Sequence, residues 1–334
     1  MWTSWHHRLH KELKAKADLI PSKSCLLIAL SGGQDSMALT QLIKDLNKLY
    51  EWEINVWHGD HQWHKNSGVF AKEINDWCRK KNLPFFSNKA DLNEVNSEEK
   101  ARNWRYKCIK NTASKLLENK NFQNKLIVLT GHNSSDRSET LIMNLARGCD
   151  LAGLSTMKEE RKLTDNIQLV RPLMCFTRSD TKLICKDLNL PIWLDPSNES
   201  MEYKRNIIRS KIMPLLEDLN IGCSKRISAM SERISLYENS QSELTIMALK
   251  NIAKLNHINR NEFLKVSHST RIILLNKWLE LQSAPRISSI LIDNIVNKIS
   301  RKGYNSSIEI KNNWKIEWDN NLIFLKKLTY KSNL

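Results

Sequence analysis

The chain has 334 residues, 41% hydrophobic and 26% charged, a composition that excludes long disorder and leaves room for about two globular domains. Its net charge of +16 favours a polyanionic partner such as RNA, DNA or an anionic membrane, although the many Asn, Lys and Ile residues also fit a lysine-rich proteome. No apolar run is long enough to span a membrane. The cationic start MWTSWHHRLHKELKAKADLI lacks the apolar core of a secretory signal, so a cytoplasmic protein is expected.

In chain order, short β-like runs at 26–30, 54–57, 84–87, 126–130 and 168–170 alternate with helical patterns at 35–50, 68–82, 98–119 and 136–147. This alternation predicts an α/β fold, a doubly wound and mostly parallel sheet that binds ligands beyond the carboxyl ends of its strands. After Pro214 the pattern turns helical, at 224–253, 260–281 and 287–301, and the alternating stretch SSIEIKNNWKIEWDNNLIFLKK predicts a small closing β-meander. A boundary is therefore expected near 214–224. Residues 1–218 form the catalytic domain in this reading, and 219–334 form a mainly helical, more densely positive domain suited to nucleic acid. Seven cysteines without a CxxC pair read as reduced thiols.

The first strand runs into Ser31-Gly32-Gly33-Gln34-Asp35-Ser36 and then directly into a helix. Free backbone N–H groups, a helix dipole and two hydroxyls meet there, which suits an anion, and glycine lets the ligand approach the main chain. Asp35 would repel bare phosphate, so its expected role is to hold a magnesium ion bridging to phosphate oxygens. Neither Gly-Lys-Ser/Thr nor GxGxxG is present, which excludes a Walker loop and a dinucleotide fingerprint. An ordinary tight turn with Asp35 as a helix cap is the plainer alternative.

This SGGxDS stretch resembles the signature of the PP-loop, or N-type, ATP pyrophosphatases. The resemblance implies that ATP is cleaved between its α- and β-phosphates to adenylate a substrate oxygen. Four further blocks resemble one family, the tRNA(Ile)-lysidine synthetases. The first is Asp60-His61 in WHGDHQWH, with His64 where that family has arginine. The second is Glu98-x-x-Ala101-Arg102-x-x-Arg105-Tyr106, which by spacing alone would be a solvated helix face with a Glu98–Arg102 pair. The third, GHNSSDRSETLIMNLARGCDLAGL, matches at His132, Asp136, Glu139, Thr140, Arg147, Gly148, Gly153 and Leu154, with Ser135 replacing an aspartate and helix capping as the alternative role for Asp136. The fourth matches at Arg171, Arg178, Asp195, Asn198, Arg205, Asn206 and Arg209.

The resemblance implies ATP-dependent joining of L-lysine to C2 of the wobble cytidine in an isoleucine tRNA with a CAU anticodon, through an O-adenylated base. It assigns Ser31, Gly32, Gly33, Gln34, Asp35 and Ser36 to ATP, with Asp35 on Mg2+. His61, Arg105 and His132 become candidates for steadying the α-phosphate or the base. Asp60, Asp136 and Glu139 become candidates for holding metal or the lysine cation. Arg102, Arg147, Arg171, Arg178, Arg205 and Arg209 become candidates for tRNA, with Arg205 and Arg209 forming a basic ridge towards RNA phosphates. A homodimer is also implied. Two other readings stay open at this point: a thiolase sharing the ATP site, and an RNA-binding module that has kept only the fold. His58, His61 and His64 have HxxHxxH spacing, which fits a loop with one functional histidine better than a zinc site.

Overall fold

The computed structural model describes residues 2–63, 66–119, 125–193, 204–254, 256–301 and 305–328. Its contacts divide the chain into two compact units, Met1–Ser235 and Leu236–Leu334.

In the first unit, helix α1 (Ser4–Ala15) precedes β1 (Cys25–Ala29), α2 (Gln34–Tyr50), β2 (Glu53–Asp60), α3 (Ser67–Lys80), β3 (Phe85–Lys89), α4 (Glu98–Asn119), β4 (Leu126–Thr130) and α5 (Ser134–Arg147). A short α6 (Leu151–Leu154) leads to the hairpin β5 (Glu160–Thr164) and β6 (Ile167–Val170). There follow α7 (Arg178–Asp187), α8 (Lys204–Ile207), a π-helical turn Ile208–Ile212, α9 (Met213–Leu219) and the long α10 (Cys223–Ile252).

Six strands form one sheet in the order β3-β2-β1-β4-β6-β5, parallel throughout except at the β5–β6 pair. Its two faces follow from the strand period of two. In β1, Leu26 and Ile28 join one core with α1 and α2, while Cys25 and Leu27 join the other with Ala101, Trp104 and Ile109 of α4. β4 does likewise, with Ile127 and Leu129 on the first side and Leu126 and Val128 on the second. From β1 the chain passes outward to β2 and β3, then returns to lay β4 on the other flank of β1. The order reverses between β1 and β4, which is where a doubly wound sheet opens a crevice for ligands.

Several elements lie outside the sequence expectations, among them α1, α7 and β5. The cationic start carried no helix expectation, yet in α1 Leu9 and Leu13 sit on one stripe in the core, and Thr3 closes its first turn through His6. β5 was missed because its residues, ERKLT, carry charge and no alternating apolar face; as an exposed edge strand it needs none, and charge protects the edge from further pairing.

The division of units falls inside α10, later than the expected 218–219. The loss of strands after Pro214 marks a change of pattern, whereas serines on the first half of α10 fasten it to the first unit. The Ser224 carbonyl accepts from Ser138, and Ser231 donates to the Leu154 carbonyl. Ser235 bonds Ser155 at 2.6 Å.

The second unit holds the rest of α10, β7 (Ala253–Lys254), β8 (His257–Asn259), α11 (Arg260–Leu264), α12 (His268–Leu281), α13 (Ser289–Ile299), β9 (Ser306–Ile310), β10 (Trp314–Trp318) and β11 (Leu322–Lys327). The expected meander is β9-β10-β11, and the short β7–β8 hairpin extends it to a five-stranded antiparallel sheet. The helix expected over 260–281 breaks after Leu264 because Ser267 caps a new helix by accepting from Thr270 N. Arg260, almost fully buried, donates to the Ile299, Arg301 and Asp319 carbonyls, satisfying the carboxyl end of α13.

Candidate active site

A cavity of about 720 Å³ opens at the carboxyl ends of β1, β2 and β4. Ser31, Gly33, Gln34, Asp35 and Ser36 line one part of it. Asp60, His61, Arg102, Arg105, His132, Asp136, Arg178, Arg205 and Arg209 line the remainder, with Trp57, Trp63, Tyr106 and Trp193. Of the expected site residues, Gly32, Glu139, Arg147 and Arg171 do not line it. Arg147 is exposed in the last turn of α5.

The loop after β1 is shaped before any ligand arrives. Ser36 Oγ donates to the Gly33 carbonyl at 2.9 Å and lies 3.0 Å from Ser31 Oγ, while Ser31 N donates to Ser36 Oγ at 3.2 Å. Gly32 has φ +87°, a conformation that glycine adopts without strain. Gly33 caps α2, so the first turn of that helix directs its free N–H groups towards the crevice.

The loop after β4 packs directly on this turn. A Cβ on Gly131 would stand 2.8 Å from Ser36 N and 2.9 Å from the Asp35 carbonyl carbon, so only glycine lets the two chain segments pass. Gly131→Ala should therefore push the start of α2 out of position and raise the KM for ATP at least about tenfold, as expected when a preorganised anion site is displaced. Gly68→Ala, which meets nothing within 4 Å on α3, is the control and should stabilise by about 0.5–1 kcal/mol. Equal KM values for the two variants would refute the packing argument.

Asp35 is the centre of a polar knot. Its Oδ1 accepts from Asn133 Nδ2 at 3.0 Å and from the Thr181 hydroxyl, and Oδ2 pairs with Arg178 at 3.2 Å. Gln34 ties the same turn to α7 through the Arg178 carbonyl and Thr181. Burial first, then repulsion from Asp136, raises the Asp35 carboxyl above the ordinary aspartate range, against the opposing pull of Arg178 and Thr181. Two neighbouring carboxylates that repel each other are the donor set to which a magnesium ion with phosphate ligands is suited.

Asn133 caps α5, accepting from Ser135 N and Asp136 N, and Asp136 Oδ2 accepts from Asn133 N at 2.9 Å. Asp136 thus does serve as part of a capping box. Its other oxygen faces Arg205 at 2.7 Å and Arg209 at 3.3 Å. Glu139, one turn on, accepts from Arg205 Nε at 3.0 Å and from Arg209 Nε at 2.8 Å. Arg205 and Arg209 were expected as a ridge open to RNA; instead both guanidiniums are held by these two carboxylates. Burial works against their charge, but the combined attraction of Asp136 and Glu139 outweighs it and raises both above the usual arginine value.

On the far wall, His61 Nε2 lies 3.2 Å from Arg105, and its ring meets Trp104 edge-on at 4.9 Å. Asp60 is buried and accepts from Gln62 N, which fixes the turn after β2. His58 is bonded to the Leu30 carbonyl, and burial first of all lowers its pKa, so this ring is neutral and structural. His132 is held well below the ordinary histidine range, by burial first and then by Arg171, Arg205, Arg105 and Arg102. At neutral pH its imidazole carries no charge and offers hydrogen bonds only.

His64, Asp195 and Asn198 lie outside the described residues. Sequence reading overlooked Asn133 and Thr181, the two neutral groups that orient Asp35. Asn133 was signalled by the capping box Asn133-Ser-Ser-Asp136, whereas Thr181 only follows the box Thr177-Arg-Ser-Asp180 and carried no signal of its own.

Residues 4–216 match the family model of the PP-loop domain. The solved U34-tRNA thiolase NcsA from Methanococcus maripaludis, with its [4Fe-4S] cluster, superposes with a TM-score of 0.56 at 17% identity, over 69% of this chain and 77% of that one. The fold and the SGGQDS turn accordingly define a PP-loop protein. A tRNA(Ile)-lysidine synthase of Prochlorococcus marinus is 45% identical over 97% of this chain and 96% of its own length. Another, of Parasynechococcus marenigrum, is 38% identical over 97% and 95%. The chain belongs to the tRNA(Ile)-lysidine synthase family, whose members are ATP-dependent ligases.

Proposed function

We propose the following order of events for this ligase, which joins L-lysine to the wobble cytidine of an isoleucine tRNA with a CAU anticodon. The observation that carries it is the meeting of the SGGQDS turn, the Asp35–Asp136 pair and the Arg105–His61–His132 wall in one cavity.

The N–H groups at the start of α2 and the hydroxyls of Ser31 and Ser36 receive the ATP phosphates. Asp35, with Asp136 near, would hold a magnesium ion, whose charge would stabilise the leaving pyrophosphate. Arg178, the most exposed partner of Asp35, releases it when phosphate enters. The cytosine C2 carbonyl oxygen attacks the α-phosphorus, forming the O–P bond as pyrophosphate leaves. Arg105 supplies positive charge to the developing phosphorane, and neutral His132 supplies a hydrogen bond. The unprotonated ε-amine of lysine then attacks C2 and AMP leaves with the oxygen. Asp136 holds the α-ammonium of lysine, exchanging it for Arg205 or Arg209, while Glu139 stands behind it and positions those arginines. No side chain becomes covalently attached, so catalysis rests on position and charge.

The basic second unit is the tRNA-binding part in this reading, and a homodimer in the cytoplasm goes with the family. Among the described residues no helix is long and apolar enough to cross a membrane. Incubation with ATP, radiolabelled lysine and that tRNA, followed by nucleoside analysis, tests the reaction. Label in a modified cytidine is expected; label that stays free refutes it.

A further inference from the structure

Tyr106, on α4, lies between two guanidiniums. Arg102, one turn earlier on the same helix, stands 5.6 Å from the ring centroid, and Arg161, the second residue of the edge strand β5, stands 4.6 Å from it. Arg171, after β6, is buried beside the Tyr106 hydroxyl, and its Nε has no hydrogen-bond partner among the described residues. Three positive side chains from three elements thus converge around one phenol ring. No carboxylate balances Arg102 or Arg161 within ion-pair distance among the described residues. The acids next to Arg161 in sequence are engaged elsewhere, Glu159 with Lys16 and Glu160 with Gln168.

The strain of this arrangement is electrostatic. Burial above all, with Arg161 and Arg102 adding repulsion, lowers Arg171 to about 10, whereas the Arg205–Arg209 pair nearby has its own two carboxylates. A cluster of like charges left without counter-ions, with its outer members exposed, is what a phosphate oxyanion would balance. Cation–π contact with Tyr106 holds the guanidiniums in place while their N–H edges stay free for such an anion.

We propose that Arg161, with Arg102 and Arg171 around Tyr106, forms a phosphate-binding site at the rim of the active cavity that takes a backbone phosphodiester of the bound tRNA. The inference rests on the function proposed above and adds a residue, Arg161, on a strand that carried no functional signal in the sequence. An ATP polyphosphate has the same chemistry, but the SGGQDS cradle already accommodates it on the α2 side of the cavity, and Arg161 lies on the outermost strand. That position suits a long polyanion crossing the rim.

The test is filter binding of the in vitro transcribed isoleucine tRNA over a range of salt, together with KM for ATP. Arg161→Gln should weaken tRNA binding about five- to tenfold and reduce the slope of log affinity against log salt by about one, leaving the KM for ATP within about twofold. Arg161→Lys, which keeps the charge, should recover most of the slope. Unchanged affinity and slope in Arg161→Gln overturn the proposal and leave Arg161 as packing on Tyr106. A raised KM for ATP with unchanged tRNA affinity also overturns it, assigning the anion to polyphosphate. A wild-type chain that transfers no lysine to this tRNA sinks the functional reading as well. A wild type that modifies the tRNA, beside an indifferent Arg161→Gln, sinks only the Arg161 site.

Discussion

Asp35→Asn should reduce ATP–pyrophosphate exchange by about 10²–10³-fold, equivalent to roughly 3–4 kcal/mol of transition-state stabilisation, while tRNA binding stays within about twofold of the wild type. The variant keeps the shape and the oxygen that accepts from Thr181 and Asn133, but loses the negative charge that would hold magnesium. Folding should not suffer. A carboxyl whose pKa is raised in the folded state holds its proton more tightly folded than unfolded. Its contribution to stability therefore falls as pH rises from the ordinary aspartate range through the raised value, and the full cost is present once the pH exceeds that value. The amide removes that cost, so Tm should be unchanged or higher even as exchange is lost. Normal exchange would sink the assignment of Asp35 to the metal. A large fall in Tm would show that Arg178 depends on the charge for folding, and the loss of exchange would then say little about chemistry.

That separation between chemistry and stability also explains how much could be read from the sequence. The turn from β1 into α2 was legible residue by residue, because glycines, hydroxyls and an acid at one strand end have few other uses. α4 was legible to its ends, since its 98–119 pattern is local. β5 was not, because an exposed edge strand has only one neighbour and no buried face to leave an alternating trace. The same limit applies to charge. Arg205 and Arg209 announce two cations one turn apart, but nothing local states that Asp136 and Glu139, about 70 residues earlier, will meet them. The spacing Asp136-x-x-Glu139 mirrors Arg205-x-x-x-Arg209, and only the tertiary fold turns the two patterns towards each other. Asp60 lines the cavity, and the turn after β2 uses one oxygen of its carboxylate for a backbone N–H, a contact the motif did not announce.

The arginine–carboxylate cluster leads to the other large effect. The Glu139 side chain is only 3% exposed and accepts from both Arg205 and Arg209, whose side chains are 24% and 23% exposed. Removing one member of a buried pair typically costs about 3–5 kcal/mol, because the partner is left desolvated and uncompensated. Here Asp136 remains and the arginines reach some solvent, so Glu139→Ala should cost about 2–3 kcal/mol, a fall in Tm of about 5–10 °C. Arg209→Met alone leaves Glu139 with Arg205 and should cost less. The double variant should lose less than the sum of the two, with a coupling of at least about 1 kcal/mol, since the guanidinium stranded by the first change is absent in the second. Lysine ligation should fall in Glu139→Ala while ATP–pyrophosphate exchange in the presence of tRNA persists, because adenylation uses the other side of the cavity. Strict additivity would mean that the two side chains act apart. Loss of both half-reactions together would mean that Glu139 supports the whole α5 cap, including the Asn133 amide on Asp35, and does not act on the lysine step alone.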